Sequence, residues 1–139
     1  IATADVAFQA DGGNLEELFV NAAKATMAVM ADLKTIKSTV EFKFQISQEK
    51  LEDLLFDFLS ELIFLKDKQS VLFSKFDIQI HYDTAQYHSK GYKLEATVWG
   101  EVIDPNRHRP RSDVKAVTWH LFKVEKKNQG YQAQVVLDI

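Results

Sequence analysis

The chain contains no cysteine, which excludes several kinds of site. A disulfide framework, a thiolate zinc site and a thiol nucleophile are impossible, so any metal must be held by oxygen or imidazole ligands. The sequence also has no apolar run near the roughly 20 residues that span a bilayer, and its first residues show no basic-then-apolar signal peptide. We therefore expect a single domain over residues 1–139, located in the cytoplasm and without a membrane partner.

An excess of positive charge is also missing. Lys and Arg total 17 against 20 Asp and Glu, a net charge of −3, whereas domains that hold DNA or RNA by neutralising phosphates are usually strongly basic. The short motifs of self-contained enzymes are absent as well: there is no GxxxxGK(S/T) phosphate loop, GxGxxG, HExxH or GxSxG. These absences favour a protein that acts on or with another protein, and they disfavour DNA as a partner.

The chain is 46% apolar, and its apolar residues recur with the spacing of strands in some segments and of helices in others. A period of two predicts strands near residues 4–10, 40–46, 76–82, 94–100, 115–125 and 131–137. Helical spacing predicts one helix over 15–31, capped by Asn14 with Glu17 in its first turn, and a second from a cap at Ser47 to near Lys66. A polar loop is expected at 83–91 and a hairpin turn at 128–130. The order β-α-β-α-β-β-β-β indicates an α+β domain, with two helices packed on one face of a mostly antiparallel or mixed sheet.

Two aspartates interrupt this pattern near opposite ends of the chain. Asp5 lies opposite the apolar face of the first strand, and Asp138 shares the parity of the glutamines in the last strand. If those strands are neighbours, both side chains and the terminal carboxylate of Ile139 converge, and such anions repel by about 4 kcal/mol per pair at roughly 4 Å and an effective dielectric of about 20. A divalent cation (Mg²⁺, Mn²⁺ or Ca²⁺) would offset that repulsion. The alternative is that each Asp is a turn former or a solvated charge.

The stretch between residues 104 and 113 is the other departure from the packing pattern. Cations and imidazoles are concentrated there and continue into the next strand: Arg107, His108, Arg109, Arg111, Lys115 and His120. Such a stretch is commonly a solvated connection, and a histidine within a strand is more often hydrogen-bonded than a ligand or general base. A functional alternative is an RNA-binding module that works through the three arginines, which the overall acidity disfavours.

Several short segments resemble, in order, the motifs of one known family. They are Ala-Thr-Ala-Asp-Val at 2–6, Asn-Leu-Glu-Glu-Leu-Phe at 14–19, Leu-Phe-Ser-Lys-Phe at 72–76, Gly-Glu at 100–101, Asp-Val-Lys-Ala-Val-Thr-Trp-His at 113–120 and Val-Val-Leu-Asp-Ile at 135–139. Together they resemble the archease family over essentially the whole chain, and the segment 115–120 with the terminal Asp-Ile is the most specific part. Where the family has His-Thr-Ala-Asp, this chain has Ala2 in place of the histidine, so position 2 is left out of the site.

This resemblance implies an accessory role and no catalytic activity of the chain itself. Archeases are cofactor proteins of the RtcB-type RNA ligase, which joins 2′,3′-cyclic phosphate or 3′-phosphate RNA ends to 5′-hydroxyl ends in tRNA splicing. They promote GTP-dependent guanylylation of the ligase in the presence of a divalent metal, and they promote its multiple turnover. The ligase is thus the expected partner, with tRNA bound indirectly through it.

Carried over by position, the family's site falls on six residues of this chain. The metal ligands fall on Asp5, Asp138 and Ile139, and the candidate partner or phosphate contacts fall on Lys115, His108 and His120. One alternative is a chaperone-like modulator of tRNA methylation. Another is a small metal-dependent phosphoester hydrolase, for which the sequence offers no complete catalytic set.

Overall fold

A computed structural model of the chain describes residues 4–84 and 90–139. Within them lie the strands β1 (Asp5–Gly12), β2 (Val40–Gln48), β3 (Val71–Asp83), β4 (Gly91–Val102), β5 (Ala116–Lys127) and β6 (Gly130–Asp138). The helices are α1 (Leu15–Met30), α2 (Leu51–Gln69) and the single turn α3 (Pro105–His108), with a 3-10 turn at Leu33–Thr35. The predicted α+β class is confirmed, and α3 is an addition inside the basic stretch.

The strands form two antiparallel sheets where the sequence predicts one. One sheet has the order β1-β6-β5 and the other the order β2-β4-β3. The long connection from β4 to β5, which contains α3, carries the chain from the second sheet to the first. β1 and β6 pair without a register shift, from Asp5 opposite Asp138 to Gly12 opposite Tyr131. The fold therefore places the first and last strands side by side.

Both long helices pack against each other and against both sheets. α1 contacts β1 and β6 of one sheet and β3 of the other, while α2 contacts β5 of the first sheet and all three strands of the second. The rings of Phe19 and Phe58 join the two helices, with centroids 5.7 Å apart. Burial of this apolar surface is the main stabilising term of the fold. The largest fully buried side chains include Phe19, Phe58, Phe73, Leu18 and Met27.

The N-caps of the two long helices differ in how well the local sequence predicts them. The Asn14 side-chain oxygen accepts a hydrogen bond from the Glu17 N–H at 2.8 Å, as the spacing predicts. The cap predicted for α2 is wrong. Ser47 pairs with Lys93 in the β2–β4 ladder, three residues before Lys50, which is the N-cap position and makes no side-chain capping bond. The second strand thus runs on through the residue expected to cap the helix.

The predicted hairpin turn joins β5 to β6, and its glycine is required by geometry. Gly130 has a φ of 130°, and a Cβ at this position would lie 2.2 Å from the Gly12 carbonyl oxygen. Two other features of the sequence, Ala2 and residues 85–89 of the predicted polar loop, lie outside the described residues. None of the helices in the described part of the chain combines the length and apolar character needed to cross a bilayer.

Candidate functional site

Two carboxylates from opposite ends of the chain face each other at one end of the first sheet. Asp5 and Asp138 are direct register partners, and Asp5 is exposed while Asp138 is half-buried. The Ile139 N–H donates to the Ala4 carbonyl at 3.1 Å. That bond makes Asp5 and Asp138 a non-hydrogen-bonded pair, the kind in which facing side chains are closer. Like charges at such positions destabilise an antiparallel pair.

The third strand of this sheet brings Lys115 to the same end. Ala116 lies opposite Asp138, and the backbone N–H of Lys115 donates to the Asp138 carbonyl at 2.8 Å. Lys115 itself is exposed, while the Ile139 side chain packs against the core. The structure thus brings together Asp5, Asp138, Ile139 and the backbone of Lys115. We call this arrangement the acidic tip.

The donor set of the acidic tip suits a hard divalent cation, because carboxylate oxygens are the ligands that Mg²⁺, Mn²⁺ and Ca²⁺ prefer. Within residues 4–84 and 90–139, neither Asp5 nor Asp138 makes an ion pair or a side-chain hydrogen bond. The same residues contain no group of three or more His, Cys, Asp or Glu side chains arranged to hold a metal. A cation here would therefore need the Ile139 carboxyl group, water or a partner molecule to complete its coordination.

A buried lysine, Lys66, anchors the segment that leads into Lys115. The Lys66 ammonium, whose side chain is only 4% exposed, contacts Asp67 and Asp113 at 2.6 Å each and the Val114 carbonyl at 2.9 Å. Lys66 ties the last turn of α2 to the residues just before β5. The helical spacing marks Lys66 only as the end of the helix, although it continues the buried stripe of Leu55, Leu59 and Leu62. The burial of Lys66 could have been predicted from the sequence, because this lysine occupies a position of the apolar stripe.

His108 is held inside the chain by hydrogen bonds at both ring nitrogens. Only 2% of its surface is exposed. Its Nδ1 accepts from the Asp104 N–H at 2.8 Å, and its Nε2 lies 2.9 Å from Glu101 Oε1. Both ring nitrogens are thus engaged within the chain, and the expected contact of His108 with a partner or a phosphate stays a prediction.

Glu101 is the centre of that network. Its second carboxylate oxygen pairs with Arg107, and the backbone N–H of Lys37 donates to its first at 2.9 Å. The Arg107 hydrogen bond, followed by the Lys37 N–H and the His108 contact, lowers the pKa of Glu101 to about 2 against the opposing effect of desolvation. The carboxylate is therefore ionised over the physiological range, and it joins β4 to α3 and to the backbone of Lys37, just after the 3-10 turn.

The basic stretch has mainly structural roles. Arg107 also donates to the Thr35 carbonyl at 2.6 Å. Arg111 donates from its backbone to Met30 O at 2.7 Å and from its guanidinium to Ala28 O at 3.1 Å, at the negative end of a helix that has no basic residue in its last turn. Within the described residues, Arg109 alone of the three arginines has a side chain with no such contact.

His120 lies apart from the acidic tip, in a wide bulge of β5. The register passes from Thr118–Val136 to Lys123–Gln134, so residues 119–122 oppose the single residue Val135. His120 is exposed. The bulge was not predicted. The less exposed residues of β5 have odd numbers at Val117 and even numbers at Phe122, and such a change of face along a strand indicates a bulge.

Comparison with known proteins identifies relatives over nearly the full length. The sequence profile of the archease protein family matches residues 2–139. Protein archease from Methanothermobacter thermautotrophicus is 38% identical over 137 residues, which are 99% of this chain and 94% of that protein. Protein archease from Pyrococcus abyssi is 36% identical over 138 residues, with the same coverage.

Solved structures of similar proteins share the fold. The solution structure of protein 1598 from Methanobacterium thermoautotrophicum has a TM-score of 0.84 and 37% identity, covering 100% of this chain and 95% of that one. The crystal structure of a Thermotoga maritima protein, described as an archease and possible chaperone, has a TM-score of 0.67 at 23% identity, covering 99% of this chain and 93% of that one, and it supports the fold alone. None of these names describes a catalytic activity.

Proposed function

This chain belongs to the archease family, and from that premise we propose that it is an accessory protein that activates an RtcB-type RNA ligase in tRNA splicing. In this proposal the chain promotes GTP-dependent guanylylation and multiple turnover of the ligase and does not ligate RNA itself. It meets tRNA only through the ligase, and it works in the cytoplasm. The observation that carries the proposal is the direct pairing of Asp5 with Asp138 beside Lys115.

The proposed cofactor is a divalent metal ion, Ca²⁺, Mg²⁺ or Mn²⁺, held by Asp5, Asp138 and the carboxyl group of Ile139. The support is electrostatic, because two facing carboxylates without a cationic partner among the described residues are stabilised by a bound cation. When bound, such an ion supplies neutralising charge and open coordination positions for phosphate or water oxygens. Two aspartates and one carboxyl group form an incomplete cage, so we expect modest affinity.

Lys115 has a separate part in this proposal. Its exposed ammonium has no ion-pair partner in the described part of the chain, and its backbone is fixed to Asp138. A positive charge positioned by hydrogen bonds at the border of the acidic tip is suited to bind a phosphate of the nucleotide or a carboxylate of the ligase. Lys66 positions this segment from behind through Asp113 and Val114.

A reconstituted guanylylation assay with the cognate ligase, GTP and a divalent cation tests the proposal. We expect the isolated chain to show no ligation of RNA ends, and we expect it to accelerate guanylylation when mixed with the ligase. We expect the guanylylation rate to fall to that of the ligase alone with each of three variants, Asp5→Asn, Asp138→Asn and Lys115→Ala. Each of them removes a charge from the acidic tip or its border.

The matched control is Asp11→Asn, on the same strand and the same face as Asp5. Its side-chain oxygen, which accepts a hydrogen bond from Gln132 at 3.0 Å, is kept in the amide. Normal stimulation by all three acidic-tip variants would disprove the assigned site, and no stimulation by the unmodified chain would disprove the function.

The alternative function is a chaperone-like modulator of tRNA methylation or a tRNA-binding module. The first part is what the description of the Thermotoga maritima protein, a possible chaperone, says of that protein. Against direct tRNA binding, Arg107 and Arg111 are engaged within the fold, so few free cations remain in the basic stretch. Tight tRNA binding by the isolated chain that weakens steeply with salt would favour this alternative.

A further inference from the structure

An apolar groove runs between α2 and the start of β5, next to the acidic tip. Phe56, Ile63 and Phe64 line it from the helix, and residues 115–117 line it from the other side. We call it the α2–β5 groove. Phe64 keeps 52% of its surface exposed there, which is costly for a large apolar side chain in water.

An aromatic stack closes one end of this groove. The rings of Phe56 and Trp119 lie parallel at 4.0 Å with an interplanar angle of 4°, and Phe122 contacts both edge-on. Trp119 is nevertheless 54% exposed, so Phe56 and Phe122 cover part of its indole and about half of the residue's surface faces solvent. A rigid, half-exposed Trp beside a groove is the kind of anchor that dominates protein interfaces.

Exposed apolar side chains concentrate on this side of the molecule. The described residues include five exposed large apolar side chains, Phe64, Tyr82, Val102, Trp119 and Leu121. Three of the five belong to α2 or to the β5 bulge, and Leu121 sits at a φ of 55°, a backbone conformation that disfavours a branched side chain. Of these three, Phe64 lines the groove and Trp119 stacks on Phe56, another lining residue, and exposed apolar side chains beside a groove are typical of a site of interaction.

The charges around the groove favour an anionic occupant. Asp67, the acidic residue of the lining, is paired with the Lys66 ammonium at 2.6 Å. Lys115 has no ion-pair partner within residues 4–84 and 90–139. The Lys68 ammonium also lies 5.5 Å from the centroid of the Phe64 ring. The groove therefore presents two positive charges, Lys115 and Lys68, beside apolar walls, and these complement a segment that carries a carboxylate next to an apolar side chain.

The groove and the acidic tip adjoin at the start of β5. Lys115 donates its backbone N–H to Asp138, and Ala116 lies opposite Asp138, while both residues also line the groove. Asp138 projects from the face of the sheet opposite the helices, so a molecule bound at both places passes around the edge strand β5. Single-stranded RNA is a poorer match, because its backbone needs several cations along a track and this groove offers two, Lys115 and Lys68.

We propose that the α2–β5 groove docks a protein segment of the same RNA ligase, with an apolar side chain against Phe64 and Trp119 and a carboxylate on Lys115. This inference rests on the proposed function. It assigns affinity mainly to the groove and stimulation mainly to the acidic tip. Substitutions in the two places therefore have separable effects.

Titration calorimetry with the cognate ligase tests this assignment. We expect Phe64→Ser and Trp119→Ser each to raise the Kd for the ligase by about tenfold or more. Both side chains are half-exposed, so thermal melts should show folded protein, and if Trp119→Ser unfolds, Phe64→Ser alone carries the test. The matched control is Val102→Ser, which removes an equally exposed apolar side chain at 55% exposure outside the groove and should leave the Kd within about twofold.

The outcomes separate the two proposals. If the unmodified chain stimulates the ligase and both groove variants bind it with unchanged Kd, the groove assignment is overturned while the function stands. If the unmodified chain neither binds nor stimulates the ligase, both proposals fail. If the groove variants lose binding to a single-stranded RNA probe and keep binding to the ligase, the occupant is RNA and the groove proposal is overturned.

Discussion

Replacing Asp5 with asparagine should change stability in opposite directions with and without a divalent cation. Asp5 faces Asp138 across a non-hydrogen-bonded position of the β1–β6 pair, and asparagine keeps the shape of the side chain while removing its charge. Without metal we expect Asp5→Asn to raise the free energy of unfolding, because one like-charge pair is lost. With metal we expect it to lower the stabilisation that the cation provides.

The gain without metal follows from the facing geometry. At a cross-strand spacing of about 5 Å, two unit charges repel by about 3 kcal/mol at an effective dielectric of about 20. Asp5 is exposed, so water and salt reduce that value, and facing pairs in sheets are typically worth about 0.2–1 kcal/mol. We expect a gain of about 0.5–1 kcal/mol, which raises the Tm by roughly 2–4 °C for a chain of this size.

The loss with metal is larger. Incomplete oxygen sites bind Ca²⁺ with a Kd on the order of 10⁻⁴ to 10⁻³ M. A cation at 100 times its Kd stabilises the folded state by about 2.7 kcal/mol, equivalent to roughly 5–10 °C in Tm. Asp5→Asn replaces a charged carboxylate ligand with a neutral amide oxygen, which binds a divalent cation more weakly, so most of this shift should disappear.

Thermal melts in EDTA and in saturating Mg²⁺, Mn²⁺ or Ca²⁺ measure both effects. Asp11→Asn on the same face of β1 is the control, and it should retain the full cation shift. The same melts on a chain extended beyond Ile139 measure the contribution of its carboxyl group. The reasoning is refuted if Asp5→Asn destabilises the metal-free protein, or if it keeps the cation shift of the unmodified chain.

The remaining predictions concern residues that support the site. Hydrogen bonds from Arg107, the Lys37 N–H and His108, the first being the largest cause, lower the pKa of Glu101 from an ordinary 4.5 to about 2. Its ionised form therefore stabilises the fold above pH 4.5, and this contribution is lost as the pH falls towards 2. We expect Glu101→Gln to flatten the dependence of stability on pH in that window, measured by urea unfolding, and an unchanged slope would contradict the network. Lys66→Met removes the buried ammonium that contacts Asp113 and Val114, and it should cost about 1–3 kcal/mol in urea unfolding; a loss below the error of the measurement would rule out the anchoring role.

Local features of this chain were predictable because their causes lie within a few residues. The helix predicted over 15–31 runs from Leu15 to Met30, because the Asn14 cap and the apolar spacing act along one segment. The strand alternation likewise identified the cores of the strands, which the structure extends by a few residues at their ends. The failed cap at Ser47 has the opposite cause, since pairing with Lys93 in β4 outweighs a local preference.

Contacts between distant segments were not predictable from periodicity. Lys66 meets Asp113 across 47 positions of sequence, and Arg111 meets Ala28 across 83. His108 illustrates the difference, because its place in a family motif does not reveal that the fold buries it against Glu101. Hydrogen bonds of this kind form where a loop packs against a distant segment, and the spacing of residues along the sequence does not predict which two segments meet.

By itself, the amino-acid order determined that Asp5 and Asp138 project from the polar faces of their strands, since side-chain direction follows from a period of two. Only the tertiary structure decided that these faces belong to one sheet, with the two carboxylates in register and Lys115 at their border. Pairing of terminal strands is a long-range choice, made by the burial of both sheets against α1 and α2. A shift of one residue in that pairing would turn one strand's side chains to the opposite face and separate the two acids.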